Sequence, residues 1–234
     1  MTKIIAEIGS NYKSTDDIFD AVKLAKSLKL DIFKIQWFSE FDLYGSGSTK
    51  RQFDLDTIKK LREECDKHKI KFMCTAFDPE AYKLIDPFVH YHKIACSERN
   101  HEEIGEIATS FGKLCFVSYL PSQGRYLQSQ IWDDTASLMC VPEYPCHRLP
   151  LEYLKYFDGV SDHTKTIDQT ITAMKFDNCA FLEKHWNPFN YTDTPDACCS
   201  INNDQMKELS DSRFTTETWT NKYERKESGY RPRL

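Results

Sequence analysis

Two short stretches decide how this chain reads: Gly159-Val160-Ser161-Asp162-His163-Thr164 and Phe181-Leu182-Glu183-Lys184-His185-Trp186. Each is a brief apolar run that ends in polar residues. Side chains along a strand alternate between its two faces. Ser161 and His163 therefore share one face, and Phe181, Glu183 and His185 share one face of the other stretch. Two imidazoles then stand at the carboxyl ends of two strands, where parallel sheets and barrels build their sites, and neutral imidazole is a common ligand for divalent metals. A lone histidine is more often hydrogen-bonded core or surface material. Two at equivalent strand ends, each beside a carboxylate, point to a site.

Outward from these stretches, short β-rich runs alternate with longer amphipathic runs along the whole chain, the pattern of parallel βαβ units. Strands are expected at 3–8, 32–37, 71–76, 90–96, 114–119, 137–141, 159–161 and 180–184. Helices are expected at 15–28, 54–68, 79–85, 101–111, 128–134, 151–157, 166–176 and 202–209. Eight strands with helices between them favour a closed α/β architecture, the (β/α)8 TIM barrel, over a doubly wound sheet. The first helix carries its own start signal: Ser14 or Thr15 can cap it, and Asp16 and Asp17 sit in its positive first turn. The barrel is expected to occupy residues 1–210 as one domain, and residues 211–234, rich in Thr, Lys, Arg and Glu, read as a C-terminal tail.

Composition excludes several classes. The net charge of −5 and the lack of a long basic run give no electrostatic grip for nucleic acid. No apolar stretch approaches membrane-spanning length, and Met1 to Ser10 runs straight into patterned sequence rather than reading as a signal peptide. A cytoplasmic protein with small-molecule partners, and none of nucleic acid or membrane, is the expectation. The nine cysteines form no CxxC pair and read as reduced, mostly buried thiols.

Polar residues recur near the carboxyl end of each strand: Glu7, Lys34 with Gln36, Thr75, Lys93, Ser118, Tyr144, Ser161 with His163, and Glu183 with His185. If these faces point into the barrel, its top holds two lysines, several hydroxyls, two histidines and at least two carboxylates. Such groups are costly to bury without partners, so their clustering implies an anionic ligand and a metal. The same alternation turns the tempting pair His90 and His92 outward, because Lys93 takes the inner face. Gly45-Ser46-Gly47-Ser48 reads as a flexible active-face loop or lid, or as plain linker.

The ordered motifs Ala6-Glu7-Ile8-Gly9-Ser10-Asn11, Phe33-Lys34-Ile35-Gln36, Cys74-Thr75-Ala76-Phe77-Asp78, Lys93-Ile94-Ala95-Cys96-Ser97-Glu98, Glu143-Tyr144-Pro145, Ser161-Asp162-His163-Thr164, Glu183-Lys184-His185 and Pro195-Asp196-Ala197-Cys198-Cys199-Ser200 resemble those of the sialic acid synthase family, the NeuB-type enzymes. The resemblance covers residues 4–209. It implies condensation of phosphoenolpyruvate with the open-chain aldehyde of an N-acylated amino sugar such as N-acetylmannosamine, giving a nonulosonic 2-keto acid and phosphate. It also implies a divalent metal, manganese first with magnesium or cobalt as alternatives, and a homodimer.

Carried over by position, His163 and His185 match the metal ligands, and Lys34, Thr75, Lys93, Ser118 and Ser161 match the phosphoenolpyruvate-holding positions. Glu7, Gln36, Glu98, Tyr144, Glu183 and Asp196 match polar positions around sugar, metal and attacking water. Glu7 and Glu98 are the two candidates for the base that deprotonates that water.

The chain also departs from the family pattern. Tyr12 follows Asn11 where the family has histidine, Cys96 replaces a serine, and Pro142 stands where a polar side chain is expected. Typical members continue into an antifreeze-like domain that delivers an arginine to the neighbouring sugar pocket; here the expectation is the tail alone, read either as a surface strap or as the source of a substitute in Arg231 or Arg233. Three readings follow: a compact sialic acid synthase-like transferase, a phosphoenolpyruvate-aldose condensing enzyme with another acceptor, or a degenerate barrel acting as a binding or scaffold subunit. Retention of both histidines, both lysines and the carboxylates argues against the last.

Overall fold

The eight expected strands close on themselves. In the computed structural model, which describes residues 1–129 and 135–213, β1 (Lys3–Glu7), β2 (Ile32–Trp37), β3 (Lys71–Ala76), β4 (Tyr91–Ile94), β5 (Cys115–Tyr119), β6 (Thr135–Cys140), β7 (Gly159–Asp162) and β8 (Phe181–His185) form one barrel in chain order. All neighbours are parallel, and β1 closes on β8 with Glu7 opposite His185. The helices α1 (Thr15–Ser27), α3 (Leu55–His68), α4 (Pro79–Ile85), α5 (Glu102–Ser110), α6 (Asp168–Ala173) and α7 (Asn203–Asp211) lie between or after the strands, and α2 (Glu40–Tyr44) follows β2.

Local chemistry explains the helix starts. Ser14 caps α1 in a reciprocal capping box with Asp17, and α1 buries Ile18, Ala21, Val22 and Ala25, one stripe at helical spacing. Asp54 caps α3, and Asp78 caps α4 with Pro79 in its first turn.

The apolar residues sort into two layers. Ile5, Ile32, Met73, Tyr91, Phe116, Leu138 and Phe181 fill the barrel's lower interior, while Ile4, Ala6, Phe33, Phe72, Cys74, Val117, Val160 and Leu182 face the helices. Strand alternation then carries the inner face upward by two residues. From the inner apolar layer it reaches Glu7, Lys34, Thr75, Lys93, Ser118, Cys140 and Glu183, all buried.

Several expectations need correction. The fifth and sixth connections are 3₁₀ segments, Pro121–Ser129 and Leu151–Tyr156, rather than α-helices. They pack closely: a Cβ on Gly124 would lie 2.6 Å from the Phe157 ring. The helix expected at 128–134 falls largely on 130–134, outside the described residues. α6 covers only the middle of the expected 166–176. The glycine-serine stretch is tied back rather than loose: Gly45 takes a left-handed cap on α2, Ser48 N donates to Glu40 Oε2 at 3.0 Å, and Phe41 N donates to Ser48 O at 3.1 Å. Arg51, unremarked in the sequence, pairs with Asp42 and Asp78 and stacks over Trp37 with its guanidinium carbon 4.4 Å from the ring centroid.

All nine cysteines are free thiols. No helix among the described residues is long and apolar enough to cross a membrane. Arg213 ties the end of the described chain to Asp31 at 2.7 Å; Arg231 and Arg233 lie outside the described residues.

Candidate active site

The floor of the site is a buried, charge-balanced cluster. Lys34 ion-pairs with Glu7 and lies 3.7 Å from Glu183 Oε2; Lys93 lies 3.9 Å from Glu183 Oε1. Lys93 Nζ also donates to Ser118 Oγ at 2.8 Å and to Ile94 O at 2.9 Å, and Ser161 Oγ donates to Glu183 Oε1 at 2.7 Å. Two cations and two anions therefore share a pocket in which every member is 3% exposed or less. Burial pushes Lys34 down to about 8, opposed by the attraction of Glu183, so it stays cationic at neutral pH. For Glu183, burial pushes upward, but Lys34, Lys93 and the Ser161 hydroxyl outweigh it and hold the carboxyl at about 2.

Three polar atoms in this floor lack a hydrogen-bond partner among the described residues: Thr75 Oγ1, Glu183 Oε2 and Glu7 Oε2, the last being the oxygen that ion-pairs with Lys34. Buried polar groups are rarely left so without a role.

The two histidines stand above the floor at the ends of β7 and β8, ring centroids 5.3 Å apart. His163 Nδ1–H donates to Val141 O at 2.9 Å, which leaves the lone pair on Nε2. Burial pushes both imidazoles below their usual value, His185 to about 4, so both are neutral at pH 7 and available as ligands. Tyr144 stacks on His163 at 4.1 Å between centroids and meets His185 edge-on at 6.0 Å.

Asp196 comes from the loop after β8. Its Oδ2 accepts from Ser10 N at 2.7 Å, and its own N donates to Ser10 Oγ at 3.0 Å, which laces the β1 and β8 loops together. Gly9 makes this approach possible: it has φ +54°, and a Cβ there would lie 2.2 Å from Asp196 Oδ2. Glu7 Oε1 accepts from Gly9 N at 2.7 Å and so joins floor to rim.

The structure thus brings together Glu7, Lys34, Thr75, Lys93, Ser118, Ser161, Glu183, His163, His185, Tyr144 and Asp196. Gln36 extends the inner face of β2 one step above Lys34, half-buried. Tyr144 is not a strand-end residue; it lies in the loop after β6, more than half exposed. The inward position of β6 belongs to Cys140, two residues beyond the interior Leu138. Alternation from Leu138 would have found it. Glu98 sits half-buried in the turn after β4, and that turn is held by backbone bonds from Glu98 N to Ala95 O at 3.0 Å and from His101 N to Glu98 O at 2.9 Å.

Asp162 and Lys184, the residues between the inward ones, face the other way and pair at 2.9 Å with no exposure at all. His92 turns to the helix layer, against Asp86 at 3.0 Å, and His90 Nδ1 accepts from Phe72 N at 2.9 Å, as the alternation requires.

The family model of the NeuB family matches residues 21–224. Among solved structures, N-acetylneuraminic acid (sialic acid) synthetase from Leptospira borgpetersenii serovar Hardjo-bovis, in complex with citrate, superposes with a TM-score of 0.78 at 21% identity, over 99% of this chain and 87% of that one. The spore coat polysaccharide biosynthesis protein spsE from Bacillus subtilis gives 0.75 at 21% identity over 90% of this chain and 66% of that one, so this chain spans just under two thirds of it. A truncated 3-deoxy-D-arabino-heptulosonate 7-phosphate synthase from Thermotoga maritima gives 0.65 at 12% identity, covering 90% of this chain and 84% of that one. At these identities the structures establish a shared fold. No curated protein matches the sequence at a significant level.

Proposed function

This chain belongs to the NeuB family, and from that premise we propose that it condenses phosphoenolpyruvate with the open-chain aldehyde of an N-acylated amino sugar of the N-acetylmannosamine kind, releasing phosphate and a nonulosonic 2-keto acid. The observation that carries the reading is the buried floor, in which two ammonium groups, three hydroxyls and two carboxylates converge where the barrel opens. A doubly anionic small molecule suits it. Lys34 and Lys93 act as point charges toward phosphate and carboxylate, and the Thr75, Ser118 and Ser161 hydroxyls supply donors.

In this reaction C3 of phosphoenolpyruvate bonds to the aldehyde carbon, water adds at C2, and the C2–O bond to phosphate breaks. Glu183, held as a carboxylate at about 2, is a weak base and serves as the fixed counter-charge that positions both lysines. Glu7 is the better acceptor for the proton of the attacking water: when Lys34 turns to the substrate anion, Glu7 loses its ion-pair partner and gains basicity. That favours Glu7 over Glu98, which lies in the turn beyond β4.

His163 and His185 are the residues that fit a divalent metal, manganese first, because both are neutral and His163 is fixed in the Nδ1–H tautomer by Val141. When bound, the ion would polarise the aldehyde oxygen as a Lewis acid. Gln36, Tyr144 and Asp196 line the rim where the sugar would lie, and Tyr144 offers its ring and hydroxyl to the acceptor.

The test is phosphate release from phosphoenolpyruvate with manganese and a panel of aldoses, N-acetylmannosamine first, with the His163→Ala protein as control. Aldose-dependent release that vanishes in the control supports the reading and names the acceptor class. Metal and phosphoenolpyruvate binding without release for any sugar overturns it in favour of a binding role.

A further inference from the structure

A ring nitrogen of His185, a carboxylate oxygen of Asp196 and Sγ of Cys199 lie within 4.8 Å of one another. Two elements hold the three. β8 delivers His185, the 3₁₀ segment Pro195–Cys198 delivers Asp196, and Cys199 closes that segment with its N–H donating to Asp196 O at 3.2 Å. Cys199 is fully buried, and Asp196 is pinned by Ser10.

Gly9 keeps the space open, since a Cβ there would lie 2.2 Å from Asp196 Oδ2 and 3.1 Å from His185 Nδ1. His185 Nδ1 is buried with no hydrogen-bond partner, in a side chain only 4% exposed. At 3.9 Å from Asp196 Oδ2 it is beyond hydrogen-bond reach. That spacing suits something else. Ligands about 2.0–2.3 Å from a tetrahedral zinc ion sit roughly 3.3–3.8 Å from one another, close to the separation seen before any ion draws the groups in.

We propose that His185, Asp196 and Cys199 form a cation site of their own for a thiophilic divalent ion, with zinc as the first candidate, separate from the pairing of His163 with His185. The donor set of nitrogen, oxygen and sulfur is one that zinc takes and that harder ions such as magnesium do not favour. Binding exchanges a proton for the metal: the Cys199 S–H bond breaks, the S–metal bond forms, and H⁺ leaves to solvent.

The site shares one residue with the proposed reaction, and that sharing has a chemical consequence. A neutral imidazole carries one lone pair, so metal at Nδ1 leaves the proton on Nε2. Zinc on Nδ1 therefore removes His185 from service beside His163. The inference rests on the side chains around Nδ1 and not on the condensation reaction.

Cobalt(II) is the probe, because a thiolate ligand gives it an intense near-ultraviolet charge-transfer absorption. The full chain is titrated with cobalt, and zinc is then added. The expected result is a thiolate-cobalt band that zinc bleaches, that persists in His163→Ala and that is lost in Cys199→Ser. No band in the unaltered protein, a band that survives Cys199→Ser, or one that disappears in His163→Ala overturns the separate site. Should Cys199→Ser fail to fold, the zinc stoichiometry of His163→Ala decides: one tightly held zinc per chain if the site exists, and none if it does not. Absence of phosphate release with every aldose would sink the condensation reading and leave these outcomes untouched.

Discussion

Replacing Lys184 by methionine should destabilise the barrel more than any surface ion-pair change. Lys184 Nζ meets Asp162 Oδ2 at 2.9 Å and the Thr164 hydroxyl at 3.2 Å, and it also contacts the Thr164 carbonyl, with both charged side chains 0% exposed. Two unit charges at that separation attract by about 6 kcal/mol at an effective dielectric constant near 20. Much of that offsets desolvation, yet removing one partner strands the other, at a typical cost of about 3–5 kcal/mol. Asp162 would retain hydrogen bonds from Thr164 N at 2.7 Å, Thr164 Oγ1 at 3.1 Å and Thr170 Oγ1, so the lower end, about 3 kcal/mol, is expected.

For a chain of this size that is a fall of roughly 6–12 °C in Tm. Denaturant unfolding at pH 7 measures it. The double variant Lys184→Met with Asp162→Asn should recover more than half the loss, because the remaining amide is uncharged. Lys23→Met is the control: its pair with Asp20 is 2.7 Å long but both side chains are more than half exposed, and the midpoint should not move measurably. A loss below about 1 kcal/mol for Lys184→Met, the size of an exposed pair, or a double variant no better than the single one, would refute the reasoning.

Two further outcomes follow from titrating groups. The Cys96 thiol is brought down to about 7 by the hydrogen bond from Cys140, with Arg99 and Lys93 adding positive charge against the opposing effect of burial. Iodoacetamide labelling of Cys96 should therefore rise through that pH, and Cys140→Ala should move the inflection toward the usual 9.0; labelling that waits for pH 9 in the unaltered protein would show the thiol pair is not coupled. His90 is pushed from 6.5 to about 4, first by burial and then by Arg62 and Lys71, against the pull of Asp66. The unfolded chain then binds the extra proton between those two values, so stability is complete above pH 6.5 and declines as pH falls toward about 4. Protonation also breaks the bond that His90 Nδ1 accepts from Phe72 N. The acid-induced loss in denaturation midpoint should shrink in His90→Phe, and an unchanged pH profile would count against this role.

How much of this was legible follows from which forces are local. Strand alternation placed Glu7, Lys34, Thr75, Lys93, Ser118, Ser161 and Glu183 on one inner face, and His90 and His92 outside it, because the period of two is a property of each strand alone. Capping of α1 by Ser14 was readable for the same reason, whereas Asp54, expected inside α3, is its cap. The sixth unit misled: Tyr144 is a prominent polar aromatic after an apolar run, but β6 ends at Cys140 and the chain has already left the sheet. The fifth and sixth connections are 3₁₀ segments rather than α-helices, and Gly124 packs tightly on Phe157 there, a contact between segments that no local periodicity encodes.

By itself, then, the sequence determined the eight-stranded order, the inward residues of every strand but the sixth and the pairing of histidines at strand ends, all of which depend on neighbours within a few residues. Tertiary structure alone decided which charges meet. Glu7 joins Lys34 across β1 and β2, Lys184 turns away to Asp162, and Ser10 reaches Asp196 across 186 positions so that Gly9, His185 and Cys199 close around one space. Those meetings are set by the closure of β1 on β8 and by the return of the β8 loop, and a distance created by closure has no signature in any one segment of the chain.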